Sequence, residues 1–162
     1  MTQISYHFVL DRLAVGDVRS RRLAGWRAVI SCLTPEELAE APAVPSGVPV
    51  LHVPIADCEP GLAPYIEAAV AFIRAHITEG AVLIHCGAGL SRSASLAIAY
   101  LVTCGMSLPE AESLVKRRRR KACPYPGFIG EIRAHCDCEA LFHAGPSRFD
   151  EETDGGSEEK SG

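Results

Sequence analysis

A chain of 162 residues, 48% apolar and 22% charged, has the size and balance of one globular domain with a full core. Its net charge of −4 is concentrated in residues 147–162, which hold six acids against Arg148 and Lys160, so residues 1–146 carry fourteen charges of each sign. No apolar run reaches the length of a membrane span, and MTQISYHF lacks the basic start and apolar stretch of a secretory signal. Seven unevenly spaced cysteines describe free thiols, so a cytoplasmic or nuclear protein is expected.

Strands and helices are predicted to alternate. Leu13–Val15 is a short strand followed by the basic RSRRL, and Ala28–Leu33 is a second strand. Thr34-Pro35-Glu36-Glu37 opens a helix, with Thr34 as N-cap, proline in the first turn and Glu37 placed to reach back. After the loop Ala41–Pro49, Val50–Val53 is a third strand, closed by Pro54. Leu62–Ile77 repeats apolar residues at helical spacing (Leu62, Ile66, Ala69, Val70, Ile73, Ile77). Ala81–Ile84 is wholly apolar, which predicts a central strand. A helix follows over Ser93–Cys104 and stops at Gly105. Ser107–Glu110 is a capping box for another helix reaching about Arg118, and a last helix covers about Gly127–Phe142. The expected fold is α/β: a central, mostly parallel sheet flanked by helices on both faces. It occupies residues 1–146 and precedes an acidic disordered tail, residues 147–162.

The chemistry is concentrated in Val82–Ser93, VLIHCGAGLSRS. A loop that leaves a central strand and enters a helix N-terminus presents backbone N–H groups inward, and Gly87 and Gly89 permit the positive-φ path of such a nest. The helix dipole adds positive potential at the same place, which suits a tetrahedral oxyanion. Cys86 at the base of the nest has its thiolate stabilised there. Arg92 offers a planar fork for two phosphate oxygens. Cys86 as nucleophile, with Gly87, Ala88, Gly89, Leu90, Ser91 and Arg92 as the cradle, is apparatus for phosphoryl transfer through a phosphocysteine intermediate. Ser93 is placed to hydrogen-bond the departing thiolate, and His85 to orient the loop through backbone contacts.

HCGAGLSRSASLAIAYL resembles the His-Cys-x5-Arg-Ser motif of the cysteine-based protein phosphatases, and AGLSRS with the following AYL is similar to the dual-specificity branch. The resemblance runs from about Leu10 to Leu141. It implies the phosphatase fold, with the phosphate loop between a central strand and a helix, and hydrolysis of phosphotyrosine and phosphoserine or phosphothreonine on protein substrates. It implies no metal and no organic cofactor. Family members carry a general acid on a loop some thirty residues before the cysteine. Asp57, in VPIADCEP and 29 residues before Cys86, fits that place, with Glu59 as the alternative. Two other readings stay open: a phosphoprotein-binding module with weak turnover, and an RNA 5′-phosphatase, although nucleic acid is not the expected partner.

Tyr125, in PYPGF, departs from the family's usual Pro-Asn-x-Gly-Phe and removes an amide that bonds near the phosphate loop. The loop also lacks the lysines of phosphoinositide phosphatases. Lys116–Lys121, KRRRRK, is expected to favour acidic phosphosubstrates, to act in nuclear import, or to form a solvated helix end, with the acidic tail competing for it. His135–Cys138, HCDC, has zinc-ligand types, but a helix turns Cys136 and Cys138 to different faces. Cys58 and Cys104 read as buried thiols, with pairing to an oxidised Cys86 as the alternative. Oligomeric state is not indicated.

Overall fold

The computed structural model describes residues 5–143, of which side chains are placed up to residue 138. Five strands form one sheet: β1 (Tyr6–Leu10), β2 (Leu13–Gly16), β3 (Trp26–Ser31), β4 (Val50–His52) and β5 (Ala81–His85), in the order β1-β2-β5-β3-β4. The β1–β2 hairpin is antiparallel and the other pairings are parallel. The apolar β5 lies in the middle, where a strand covered on both faces gains most from having no polar side chain. Because side chains alternate along a strand, Val82, Ile84 and Cys86 enter the larger core and Leu83 the smaller one behind the sheet.

The helices are α1 (Pro35–Ala39), α2 (Ile66–His76), α3 (Arg92–Thr103), α4 (Leu108–Arg118) and α5 (Pro126–His143). The larger core joins α2 to α5 to one face of the sheet. Trp26, a 3-10 turn at Val18–Arg22, and Val44 and Val48 of the β3–β4 connection cover the other. In α2 the buried residues Ile66, Ala69, Val70 and Ile73 form a single stripe. Residues Arg92–Leu101 of α3 are all buried, so this helix is the axle of the domain. Burying each large aliphatic side chain there stabilises the fold by about 1.5–3 kcal/mol.

Both predicted capping boxes form: Thr34 with Glu37, and Ser107 with Glu110. Gly105 follows α3 at φ +102°, the left-handed conformation that ends a helix. β1 is not among the elements that the sequence predicts. This edge strand is half-exposed, with Phe8 40% accessible, and lacks the unbroken apolar run that marks β5. The acidic segment 147–162 lies outside the described residues.

Candidate active site

The loop Gly87–Ser91 leaves the C-terminal end of β5 and enters α3, the strand–loop–helix path that the sequence implies. Its main chain is held from outside. Val18 N–H donates to the Gly87 carbonyl (3.1 Å), and Cys123 N–H to the Leu90 carbonyl (2.8 Å). Across a planar trans peptide, an outward carbonyl turns the next residue's N–H inward, here those of Ala88 and Ser91. Gly89 takes φ +67°, as a nest needs. Gly87 does not; its glycine answers a different demand. A Cβ there would stand 3.3 Å from Arg92 Nη2 and 3.7 Å from Glu37 Oε1, so the missing side chain leaves room for that pair.

Cys86 is 2% exposed. Its Sγ accepts the Gly89 N–H at 3.2 Å and lies 3.2 Å from Ser93 Oγ on the first turn of α3. Beneath it, His85 is fully buried and its Nδ1–H donates to the Cys86 carbonyl at 3.4 Å. Burial pushes the His85 imidazole down to about 4, so it is neutral near pH 7 and serves as a strut. Between about pH 4 and 6.5 the unfolded chain binds a proton at this residue that the folded chain does not, so stability rises with pH across that window. We expect His85→Asn, which keeps an N–H donor, to remove roughly 3 kcal/mol of the stability lost between pH 7 and pH 4. Denaturant melts at the two pH values measure it; parallel losses in both proteins would refute the assignment.

Arg92, 4% exposed, is held on one edge. Its Nη1 donates to Glu37 Oε2 (2.6 Å) and to the carbonyls of Cys32 and Ile55 (both 3.1 Å), and Nη2 donates to Glu37 Oε1 (2.9 Å). The opposite edge, carrying Nε–H and the second Nη2 proton, stays available as a fork. Burial disfavours the guanidinium charge, but Glu37 and the charge at Cys86 outweigh it and raise the Arg92 pKa. The hydrogen bond from Arg92 in turn holds the Glu37 carboxyl below its ordinary range. Glu37 does two jobs, since Oε2 also accepts Thr34 N–H (2.8 Å) to close the capping box. Glutamine serves a capping box equally well, which separates the two. Glu37→Gln is therefore expected to leave the melting temperature within a few degrees of native while lowering kcat/KM about tenfold, from the loss of a charge-assisted pair. A fall in stability with unchanged kinetics would reduce Glu37 to a cap.

Asp57 stands on the loop after β4, 56% exposed at its side chain, with Oδ1 3.9 Å from Arg92 Nε. The fold thus brings it to the free edge of Arg92. Glu59 lies further along the same loop and is exposed. Glu131 of α5 anchors the loop's far end: its carboxylate accepts the N–H groups of Gly61 (3.0 Å), Leu62 (3.2 Å) and Ala63 (3.3 Å). Neither Glu131 nor the second job of Glu37 was legible locally, because each partner lies tens of residues away.

Other expectations need correction. Tyr125 does not leave the loop untethered: its backbone N–H donates to Ser91 Oγ (2.9 Å), while its ring packs edge-on against Phe128 at 5.2 Å. The basic run is not uniformly solvated, for Arg119 is completely buried while Arg117, Arg118, Arg120 and Lys121 are exposed. Cys58 and Cys104 are exposed, and Cys58 adopts φ +57°. The buried thiol near Cys86 is Cys32, at the end of β3; burial, and then the charge at Cys86, push its pKa well up. Among the described residues, no three His, Cys, Asp or Glu side chains group as a metal site would require.

Comparison with known proteins agrees with this geometry. A family model described as "Dual specificity phosphatase, catalytic domain" matches residues 26–138. The human "Dual specificity protein phosphatase 16" is 44% identical over 86 residues, 51% of this chain and 13% of the relative. The Arabidopsis thaliana "Dual specificity protein phosphatase 1B" is 36% identical over 99 residues, 59% of each. The chain therefore matches only a part of these curated relatives. Among solved structures, human DUSP28 superposes with a TM-score of 0.74 at 29% identity, covering 86% of this chain and 97% of that one. The chain belongs to the dual specificity phosphatase catalytic-domain family.

Proposed function

We propose that this protein hydrolyses phosphate monoesters on proteins, at tyrosine and at serine or threonine, through a phosphocysteine intermediate. The observation that carries the reading is Cys86 Sγ at the base of an amide nest, beside an arginine whose outer edge is clamped by Glu37 and whose inner Nε, 3.9 Å from Asp57, makes no hydrogen bond. The phosphoryl group sits on the loop amides and the Arg92 fork. Cys86 Sγ attacks phosphorus in line with the ester oxygen; the S–P bond forms, the P–O bond breaks, and Asp57 donates a proton to the departing oxygen. Water then attacks the phosphocysteine, giving its proton to Asp57, and Ser93 Oγ–H donates to the thiolate as it leaves. The cysteine usage read from the sequence supports a reducing setting, cytoplasm or nucleus.

Phosphate release from phosphotyrosyl and phosphothreonyl peptides by the purified chain tests this reading. Turnover on both supports it. Tight binding without turnover would make the chain a phosphoprotein-binding module, and turnover confined to RNA 5′-phosphates would move the substrate to nucleic acid.

A further inference from the structure

Among the described residues, Arg119 is the largest fully buried side chain, and it comes from a run of bases that would ordinarily face water. The inner face of α4 explains the exception. Ala111 and Val115 are buried at a spacing of four, and Arg119, the C-cap, falls next on that stripe. The chain leaves the helix there at φ −123° and ψ 87°, and the side chain turns beneath the phosphate loop.

Each end of its guanidinium is used. Nε donates to the Gly89 carbonyl at 2.6 Å, and Nη2 to the Ala88 carbonyl at 3.4 Å. Nη1 donates to His7 Nδ1 at 3.0 Å, so His7 is neutral with its proton on Nε2. Burial, then Arg119 and Lys121, oppose its protonation. The loop packs down on this group: a Cβ on Gly89 would collide with Arg119 Nη2 and with the main chain of Gly16.

The two carbonyls that Arg119 takes are the ones between those held by Val18 and Cys123. The same peptide geometry applies. Drawing the Ala88 carbonyl outward aims Gly89 N–H inward, where it is found on Cys86 Sγ, and drawing out the Gly89 carbonyl aims Leu90 N–H inward.

We propose that Arg119 is a positioning residue of the phosphate site: it orients the Ala88–Gly89 and Gly89–Leu90 peptides so that their N–H groups face the bound oxyanion, and it places a second cation beneath the loop. The inference rests on the proposed function only in taking the loop as an oxyanion site. Two substitutions separate its parts. Lysine keeps the charge but one ammonium cannot span both carbonyls and His7, whereas methionine keeps the aliphatic stem and removes charge and donors together.

Two quantities are compared with native protein: orthovanadate affinity by calorimetric titration, and the melting temperature. Arg119→Lys is expected to weaken orthovanadate binding about tenfold, the worth of about one lost hydrogen bond to a charged donor, while leaving the melting temperature within a few degrees of native. Arg119→Met is expected to weaken binding further, because the second cation and the donors are both gone. A folded Arg119→Lys protein that binds orthovanadate within twofold of native overturns the proposal, and that variant alone decides if the methionine one does not fold. Should native protein bind orthovanadate yet turn over no phosphopeptide, the phosphatase reading fails while this comparison still stands.

Discussion

Cys86→Ser is expected to lower kcat at least about 10⁴-fold and to leave phosphopeptide binding intact. The hydroxyl of serine is a far weaker nucleophile than a thiolate near neutral pH. The cradle does not depend on the sulfur, however. The carbonyls of Gly87 and Leu90 are tied to Val18 and Cys123, those of Ala88 and Gly89 to Arg119, and Arg92 to Glu37, Cys32 and Ile55. Phosphopeptide titration of the variant beside single-turnover phosphate release measures both quantities. Turnover near native would remove Cys86 from the reaction, and lost binding with lost turnover would mean that the nest had collapsed.

Much of the site was legible because its determinants are local. Val82–Ser93 encodes strand, nest and helix start within twelve consecutive residues, and both capping boxes span four. The central position of β5 followed from its lack of polar residues. What escaped the sequence depends on contacts between distant segments. Glu37 and Arg92 are 55 residues apart, Arg119 and Gly89 are 30, and Glu131 reaches back 70 residues to Gly61. The pattern of the basic run held a usable signal, since Arg119 continues the Ala111–Val115 stripe. Six consecutive bases obscured it. Gly87 shows the same limit: its lack of a side chain answers the Arg92–Glu37 pair rather than a positive φ, and local sequence does not show that pair.

Asp57→Ala should lower kcat by roughly 10²–10⁴-fold, and the loss should depend on the leaving group. Alkyl oxides, as released from phosphoserine and phosphothreonine, depart poorly without a proton. Activated aryl oxides depart with little help, so their rates should fall least. The placement of Asp57 favours this role over one in binding. Its carboxylate is more than half exposed, at the mouth of the site, and stands 3.9 Å from Arg92 Nε, whereas Glu37 already holds the guanidinium with two shorter bonds. Removing Asp57 therefore leaves Arg92 aligned, and KM for a given phosphopeptide should move only a few-fold. The loop itself is tied down through Glu131 at Gly61–Ala63, beyond the residue exchanged, so its path should persist in the variant. A series of aryl phosphates of graded leaving-group acidity gives the measurement: the slope of log kcat/KM against leaving-group pKa, which reports the step that expels the leaving group and not hydrolysis of the phosphocysteine, should steepen in Asp57→Ala. An unchanged slope with uniformly reduced rates would make Asp57 a structural residue of the loop, and the same series run on Glu59→Ala would then identify the acid.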